Sequence, residues 1–275
     1  MASLDAALSS LTLWNHHRDT IERVHARFHA DPDVIGLLLT GSLAHGFATA
    51  SSDVDIVIVI GDDAWRRRRD AVSLTYFDQS LATYDGGYVD GKYVSPAFLR
   101  DVAERGADAT RWGYEGARIL FTRDAALAPL LASIVAFPLD QQADRRERFT
   151  AQLLAWGWYA QQGLEKGDPY LRSISVARVV LFACRLVLNE NATLFPFHKW
   201  LMRVTDRVPH RPADLTDRLT RLLAHPSAAD VDDLVAGLLT FYDIDRAQAE
   251  RTWGAHFLRD TELSWMAGPP PIDDL

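Results

Sequence analysis

The chain has 275 residues, 48% of them hydrophobic and 24% charged, with no low-complexity tract, which fits a folded protein of one or two domains with a sizeable core. A formal net charge of −8 argues against a surface for polymeric nucleic acid, which shows as a basic patch or stripe. No apolar stretch approaches the ~18 residues of a membrane span, and Met1 to Asp5 carry neither the basic nor the apolar region of a secretion signal, so a cytoplasmic location is expected.

In chain order, apolar spacing predicts a helix over Leu8 to Phe28, with Leu11, Trp14, Ile21, Val24 and Phe28 near one face and a stop at Asp31-Pro32. His16 and His17 read as exposed on it. His25 and His29 share a face at metal-ligand spacing, but no further ligand is signalled. Val34 to Leu39 and Val54 to Ile60 are short, rich in β-branched residues and bounded by Gly, Pro or Ser, so both read as buried strands. Between them Gly41-Ser42 precedes a helical turn within Leu43 to Ala48. Asp62-Asp63 then open a helix through Arg66 to Arg69, four arginines that cannot all share one face and read as solvated surface more readily than as a phosphate or partner contact.

Ser73 to Phe77 and Tyr88 to Val94 read as paired strands around the Asp85-Gly86-Gly87 turn, Pro96 opens a helix, and Arg118 to Phe121 reads as the last strand. The expectation is an α+β fold: a small mixed sheet with helices on one side over residues 1–124, and an all-α bundle over residues 125–275. Helical patterns in the second part run over Arg145 to Leu164, Tyr170 to Leu188, Pro196 to Val204, Leu215 to Leu223, Val231 to Tyr242 and Ala247 to Leu258. The single cysteine, Cys184, falls in the second of these and reads as a core residue. The Asn191-Ala-Thr193 sequon carries no meaning without secretion, and Gly268 to Leu275 reads as a poorly ordered tail. Trp112, Tyr114, Trp156 and Trp158 read as core more readily than as a stacking platform.

The chemistry concentrates between the first two strands. Residues two apart on a strand share a face, so Asp53 and Asp55 point the same way, roughly 6 to 7 Å apart at Cβ, and can converge on metal ions. Gly41 and Ser42 close the preceding strand, where backbone N–H groups and a hydroxyl can face an anion. A surface pair, a glycosyltransferase metal motif and a phosphatase nucleophile pair also contain Asp-x-Asp. The phosphatase pair follows an apolar strand, whereas Asp53 and Asp55 open one, and a glycosyltransferase leaves Gly41-Ser42 unexplained.

Taken together, the apolar strand, Gly41-Ser42, the spacer ending in Ser51-Ser52, and Asp53-Val54-Asp55 opening the next strand resemble the nucleotidyltransferase superfamily typified by DNA polymerase β. The resemblance spans roughly the first 120 residues. It implies a third carboxylate on a later strand, for which Asp90 in the alternating Gly87 to Val94 is the candidate, with Asp78 and Asp85 nearby. It also implies two Mg²⁺ ions held by Asp53, Asp55 and Asp90, a nucleoside triphosphate whose terminal phosphates meet Gly41 and Ser42, Asp90 as general base, and pyrophosphate as product. Phe195-Pro196-Phe197-His198-Lys199-Trp200 looks like a Pro-aromatic-x-Lys-Trp stretch in the helical domains of some bacterial members. Lys199, in a first helical turn where the dipole disfavours a cation, reads as a phosphate contact or a surface lysine. His45, in the loop between the motifs, is a further candidate for phosphate contact.

The size and order of the two parts look like bacterial antibiotic nucleotidyltransferases that modify aminoglycosides or lincosamides. The implied reaction is transfer of AMP from ATP to a hydroxyl of a small acceptor. Transfer of AMP to a protein, or nucleotide binding without turnover as a sensor, are the alternatives, and neither the donor base nor the oligomeric state is fixed by sequence.

Overall fold

The protein is described here from a computed structural model, over residues 4–268. Beyond Gly268, the expected tail lies outside the described residues. The chain divides into two compact units at Ala136 and Phe137.

The first unit opens with α1 (Leu4–Leu8) and α2 (Asn15–His29), followed by β1 (Val34–Leu39), α3 (Gly41–His45), β2 (Val54–Ile60) and α4 (Asp62–Asp70). It continues with β3 (Thr75–Asp78), β4 (Val89–Val94), α5 (Pro96–Arg105), α6 (Asp108–Trp112), β5 (Arg118–Thr122) and α7 (Leu127–Val135). The strands lie in the order β3-β4-β2-β1-β5. β2 and β4 run parallel, linked by the crossover through α4, and the other pairs are antiparallel. The first two strands and the helix opened by Pro96 form where the sequence places them, because β-branched runs and an N1 proline act locally.

Two expectations need correction. The single N-terminal helix is broken: α1 ends at Leu8 and α2 begins at Asn15. The Ser9-Ser10-Leu11-Thr12 run between them has only one strong helix former, Leu11, and the Ser9 hydroxyl donates back to the Ala6 carbonyl, a local bond that competes with helix continuation. Helices also cover both faces of the sheet. Leu37, Leu39, Ile56, Ile58 and Ile60 pack with Leu8, Ile21, Val24 and Phe28 from α1 and α2. Leu38, Val57, Val59 and Val94 pack on the other face with Leu99 and Val102 of α5 and Leu127, Leu131 and Ile134 of α7. A strand buried on both faces reads as an unbroken apolar run, as β1 and β2 do. α7 thus belongs by packing to the first unit, although the change of character in the sequence falls near Ala125.

The second unit contains α8 (Gln142–Glu165), α9 (Pro169–Glu190), α10 (Phe197–Arg207), α11 (Leu215–Ala224), α12 (Ala228–Phe241) and α13 (Arg246–Asp260). α8 and α9 form its central hairpin, with α12 and α13 against α8 and α10 and α11 against α9. Asp168 starts α9 by accepting from the Tyr170 and Leu171 amides, with Pro169 at the first helical position. At the hairpin's close approach a Cβ on Gly163 would lie 2.6 Å from the Arg172 nitrogen, so only glycine fits. Cys184 is fully buried on α9. Trp112 and Tyr114 of the first unit are core residues as expected, whereas Trp158 is 50% exposed. The fold is α+β, a mixed sheet with flanking helices followed by a helical unit.

Candidate active site

The alternation of β2 sends Ile56, Ile58 and Ile60 toward α1 and α2 and leaves Asp55 on the face of Val57 and Val59. Asp53, two residues earlier and just before the strand, projects to the same side. The parallel ladder pairs Asp55 directly with Asp90 of β4. One carboxylate oxygen from each of Asp53, Asp55 and Asp90 lies within 4.8 Å of the other two, with Asp53 and Asp55 half-buried and Asp90 exposed. Among the described residues this is the one such convergence of three His, Cys, Asp or Glu side chains. At that spacing and an effective dielectric of about 20, each pair of charges repels by on the order of 3 kcal/mol. Hard oxygen donors gathered against their own repulsion suit a divalent cation such as Mg²⁺.

Gly41 and Ser42 stand against this cluster. Gly41 has φ of +63°, and a Cβ there would lie 1.8 Å from Asp55 Oδ2, so both its conformation and its contact with the carboxylate require glycine. The Asp55 carbonyl accepts from the Thr40 amide at 2.9 Å, joining the two motifs through backbone. The helix expected from Leu43 begins at Gly41 instead and stops at Gly46 in the left-handed region. The Ser42 hydroxyl is buried and has no hydrogen-bond partner among the described residues.

Two residues at the cluster escape a reading focused on carboxylates. The Tyr88 phenol donates to Asp53, and the charges of Asp53 first, then Asp55 and Asp90, push its pKa up. Lys92 is exposed as a residue, while its Nζ lies against the Tyr114 ring, 5.3 Å from the centroid. Burial lowers its pKa, and the neighbouring Asp55 charge opposes that shift. Both lie two residues from Asp90 on the same strand face, so the period of two that located Asp90 was the available signal.

A family model described as "Nucleotidyltransferase domain" matches residues 19–90, a span that contains Gly41, Ser42, Asp53 and Asp55 and ends on Asp90. Residues 19–90 are a nucleotidyltransferase domain of the polymerase β type. The chain therefore contains a nucleotidyltransferase domain, and the activity of that class of domain is transfer of a nucleoside monophosphate. No curated protein matches the chain. Among solved structures, a nucleotidyltransferase-like protein from Exiguobacterium sibiricum 255-15 is similar to it at 14% identity and a TM-score of 0.47, over 89% of this chain and 78% of that one.

Around the nucleotidyltransferase motif the other candidates fall as follows. His45 at the end of α3 stacks on Trp112 with centroids 4.0 Å apart, and burial lowers its pKa to about 4, so it is neutral at pH 7. His25 and His29 stack on one another and meet the Phe121 ring edge-on. His17, expected to be exposed, is fully buried, with Nε2 2.8 Å from the Ser52 carbonyl oxygen. Its contact comes from a distant loop and leaves no trace in helical periodicity. The four arginines of α4 are partly engaged: Arg66 pairs with Asp63, Arg69 with Asp70, and the Arg68 guanidinium lies 3.9 Å from the Tyr93 ring centroid. In the second unit, Lys199 is exposed in the first turn of α10, its Nζ 5.0 Å from the Trp200 ring centroid.

Proposed function

We propose that this nucleotidyltransferase moves AMP from ATP to a hydroxyl of a small-molecule acceptor, with pyrophosphate released. The convergence of Asp53, Asp55 and Asp90 beside Gly41 carries the reading. When bound, two Mg²⁺ ions held by those carboxylates supply charge neutralisation at the triphosphate and lower the pKa of the acceptor hydroxyl. Gly41 presents backbone close to the phosphates, and the unpartnered Ser42 hydroxyl supplies a donor for them. Asp90, the exposed member of the triad, takes the proton from the acceptor hydroxyl as general base. Lys199 is a proposed phosphate contact on the strength of its sequence setting.

The catalytic role falls to the sheet-containing unit, which carries Asp53, Asp55 and Asp90. A net charge of −8 is compatible with a cationic acceptor of the aminoglycoside kind.

The test is thermal stabilisation by ATP, GTP, CTP and UTP with and without Mg²⁺, with Asp53→Asn/Asp55→Asn as control. Ligand at ~100 times its Kd adds about 2.7 kcal/mol, enough to raise Tm by roughly 5 to 10 °C for a chain of this size. A Mg²⁺-dependent shift with ATP that the double variant lacks supports the reading, and its absence with every nucleotide overturns it. Labelled ATP then separates acceptors: label on a small molecule supports the proposal, and label on a polypeptide favours protein AMP-transfer instead.

A further inference from the structure

Ser52, the residue before Asp53, offers its carbonyl oxygen to two side chains from distant parts of the first unit. His17 Nε2 on α2 lies 2.8 Å from it, and the Tyr84 phenol donates to it at 2.5 Å. The same loop is tied again where His16 Nε2 lies 2.9 Å from the Ala50 carbonyl oxygen, and it is closed on itself by the Thr49 amide donating to the Ser52 hydroxyl. Tyr84 is itself fixed. A Cβ on Gly87 would come within 2.6 Å of its ring, while neighbouring Thr83 donates its amide to the Thr20 hydroxyl and its own hydroxyl to the His16 carbonyl. The N-terminal turns of α2 thus hold both the loop that delivers Asp53 and the segment that feeds β4 and Asp90.

His17 is unusual as a packing residue. It is fully buried, and its Nδ1 has no hydrogen-bond partner among the described residues. With Nε2 facing a carbonyl, Nε2 carries the proton and Nδ1 is left as an unsatisfied acceptor, a state that costs stability relative to an apolar side chain of the same shape. The group its other nitrogen serves is the Ser52 carbonyl.

We propose that His17 and Tyr84 are positioning residues for Asp53: donating together to the Ser52 carbonyl, they fix the peptide plane from which the Asp53 carboxylate is directed toward Asp55 and Asp90. The Ser52 carbonyl and the Asp53 amide belong to one rigid peptide unit, so holding the oxygen fixes the N–Cα bond from which the Asp53 side chain is placed. Tyr88 holds the other end, at the carboxylate. Asp53 is therefore fixed both at its backbone and at its tip. This inference rests on the reading of the triad as a metal site.

The experiment measures Mn²⁺ affinity of the full chain by electron paramagnetic resonance of free Mn²⁺, alongside urea denaturation and steady-state kinetics. The variants are Tyr84→Phe, which keeps the ring and removes the donor, His17→Leu, and His17→Gln, which keeps a donor. Groups that orient metal ligands typically matter by 10- to 100-fold, so Tyr84→Phe and His17→Leu should each weaken Mn²⁺ binding by about tenfold. His17→Gln should recover part of the loss, and kcat should fall while KM for the nucleotide stays near the wild-type value. Wild-type Mn²⁺ affinity in Tyr84→Phe and His17→Leu, with only a lowered urea midpoint, overturns the proposal and leaves the contacts purely structural. If His17→Leu does not fold, Tyr84→Phe decides alone. Failure of the underlying reading looks different: the wild type would then bind Mn²⁺ no better than Asp53→Asn/Asp55→Asn.

Discussion

Gly41 and His45 sit a single helical turn apart and support the site in opposite ways. At Gly41 a methyl group would overlap the Asp55 carboxylate at 1.8 Å and would have to adopt φ of +63°. Gly41→Ala should therefore displace Asp55 and cut nucleotidyl transfer by at least ~10², while also costing stability of more than about 1 kcal/mol, because alanine at this φ is strained; rate and urea midpoint measured on one preparation separate the two effects. For His45 the consequence is a pH dependence of stability. Its folded pKa is pushed down to about 4 from the ordinary histidine value of 6.5, so between those values the unfolded chain binds a proton that the folded chain excludes. Stability falls as pH drops through that window, by on the order of 1–2 kcal/mol after allowing for partial exposure. His45→Phe, which keeps a ring against Trp112, should remove that part of the slope in denaturation curves at pH 7 and pH 4.5. At this scale the sequence showed Asp53, Asp55 and Gly41 plainly, because strand period and glycine chemistry are local. It hid His17, whose partner is supplied by a loop brought near only by the fold.

Elements were legible to the extent that their signals were short-range. β1 and β2 fall where the apolar runs put them, and every helix of the second unit forms around its expected core segment. The side on which helices cover the sheet was not legible, since a run such as Val54 to Ile60 shows burial without showing which partner buries each face. Two helical glycines show how far packing overrides propensity. Gly254 on α13 has nothing within 4 Å of an added Cβ, whereas Gly163 on α8 would meet the α9 backbone at 2.6 Å. Gly254→Ala should stabilise the protein by up to about 1 kcal/mol, the usual helix gain. Gly163→Ala should destabilise it by about 1–3 kcal/mol through overpacking. Guanidinium denaturation of the pair checks both signs, and equal signs would refute the close approach of α8 and α9.

For the whole molecule, the acidic charge sets what can approach. With −8 overall, a polycationic acceptor gains from the protein's field and a polyanion does not. The KM for such an acceptor should rise several-fold between 50 and 300 mM salt, while an uncharged acceptor of similar size shows little change; steady-state kinetics at the two ionic strengths decide this. No helix among the described residues is long and apolar enough to cross a membrane.

The direct pairing of Asp55 with Asp90 across β2 and β4 also constrains how the protein comes into being. A slip of one residue would turn Asp90 to the opposite face of the sheet, and the two strands meet only after the crossover through α4 has closed. Closing such a loop precedes the reward from the contacts it makes. The convergence of Asp53 and Asp55 with Asp90 therefore cannot return ahead of the correctly registered sheet in a refolding chain. A newly made polypeptide lacks this convergence of carboxylates until that ladder is in place, so the folding of the sheet itself assembles the candidate site.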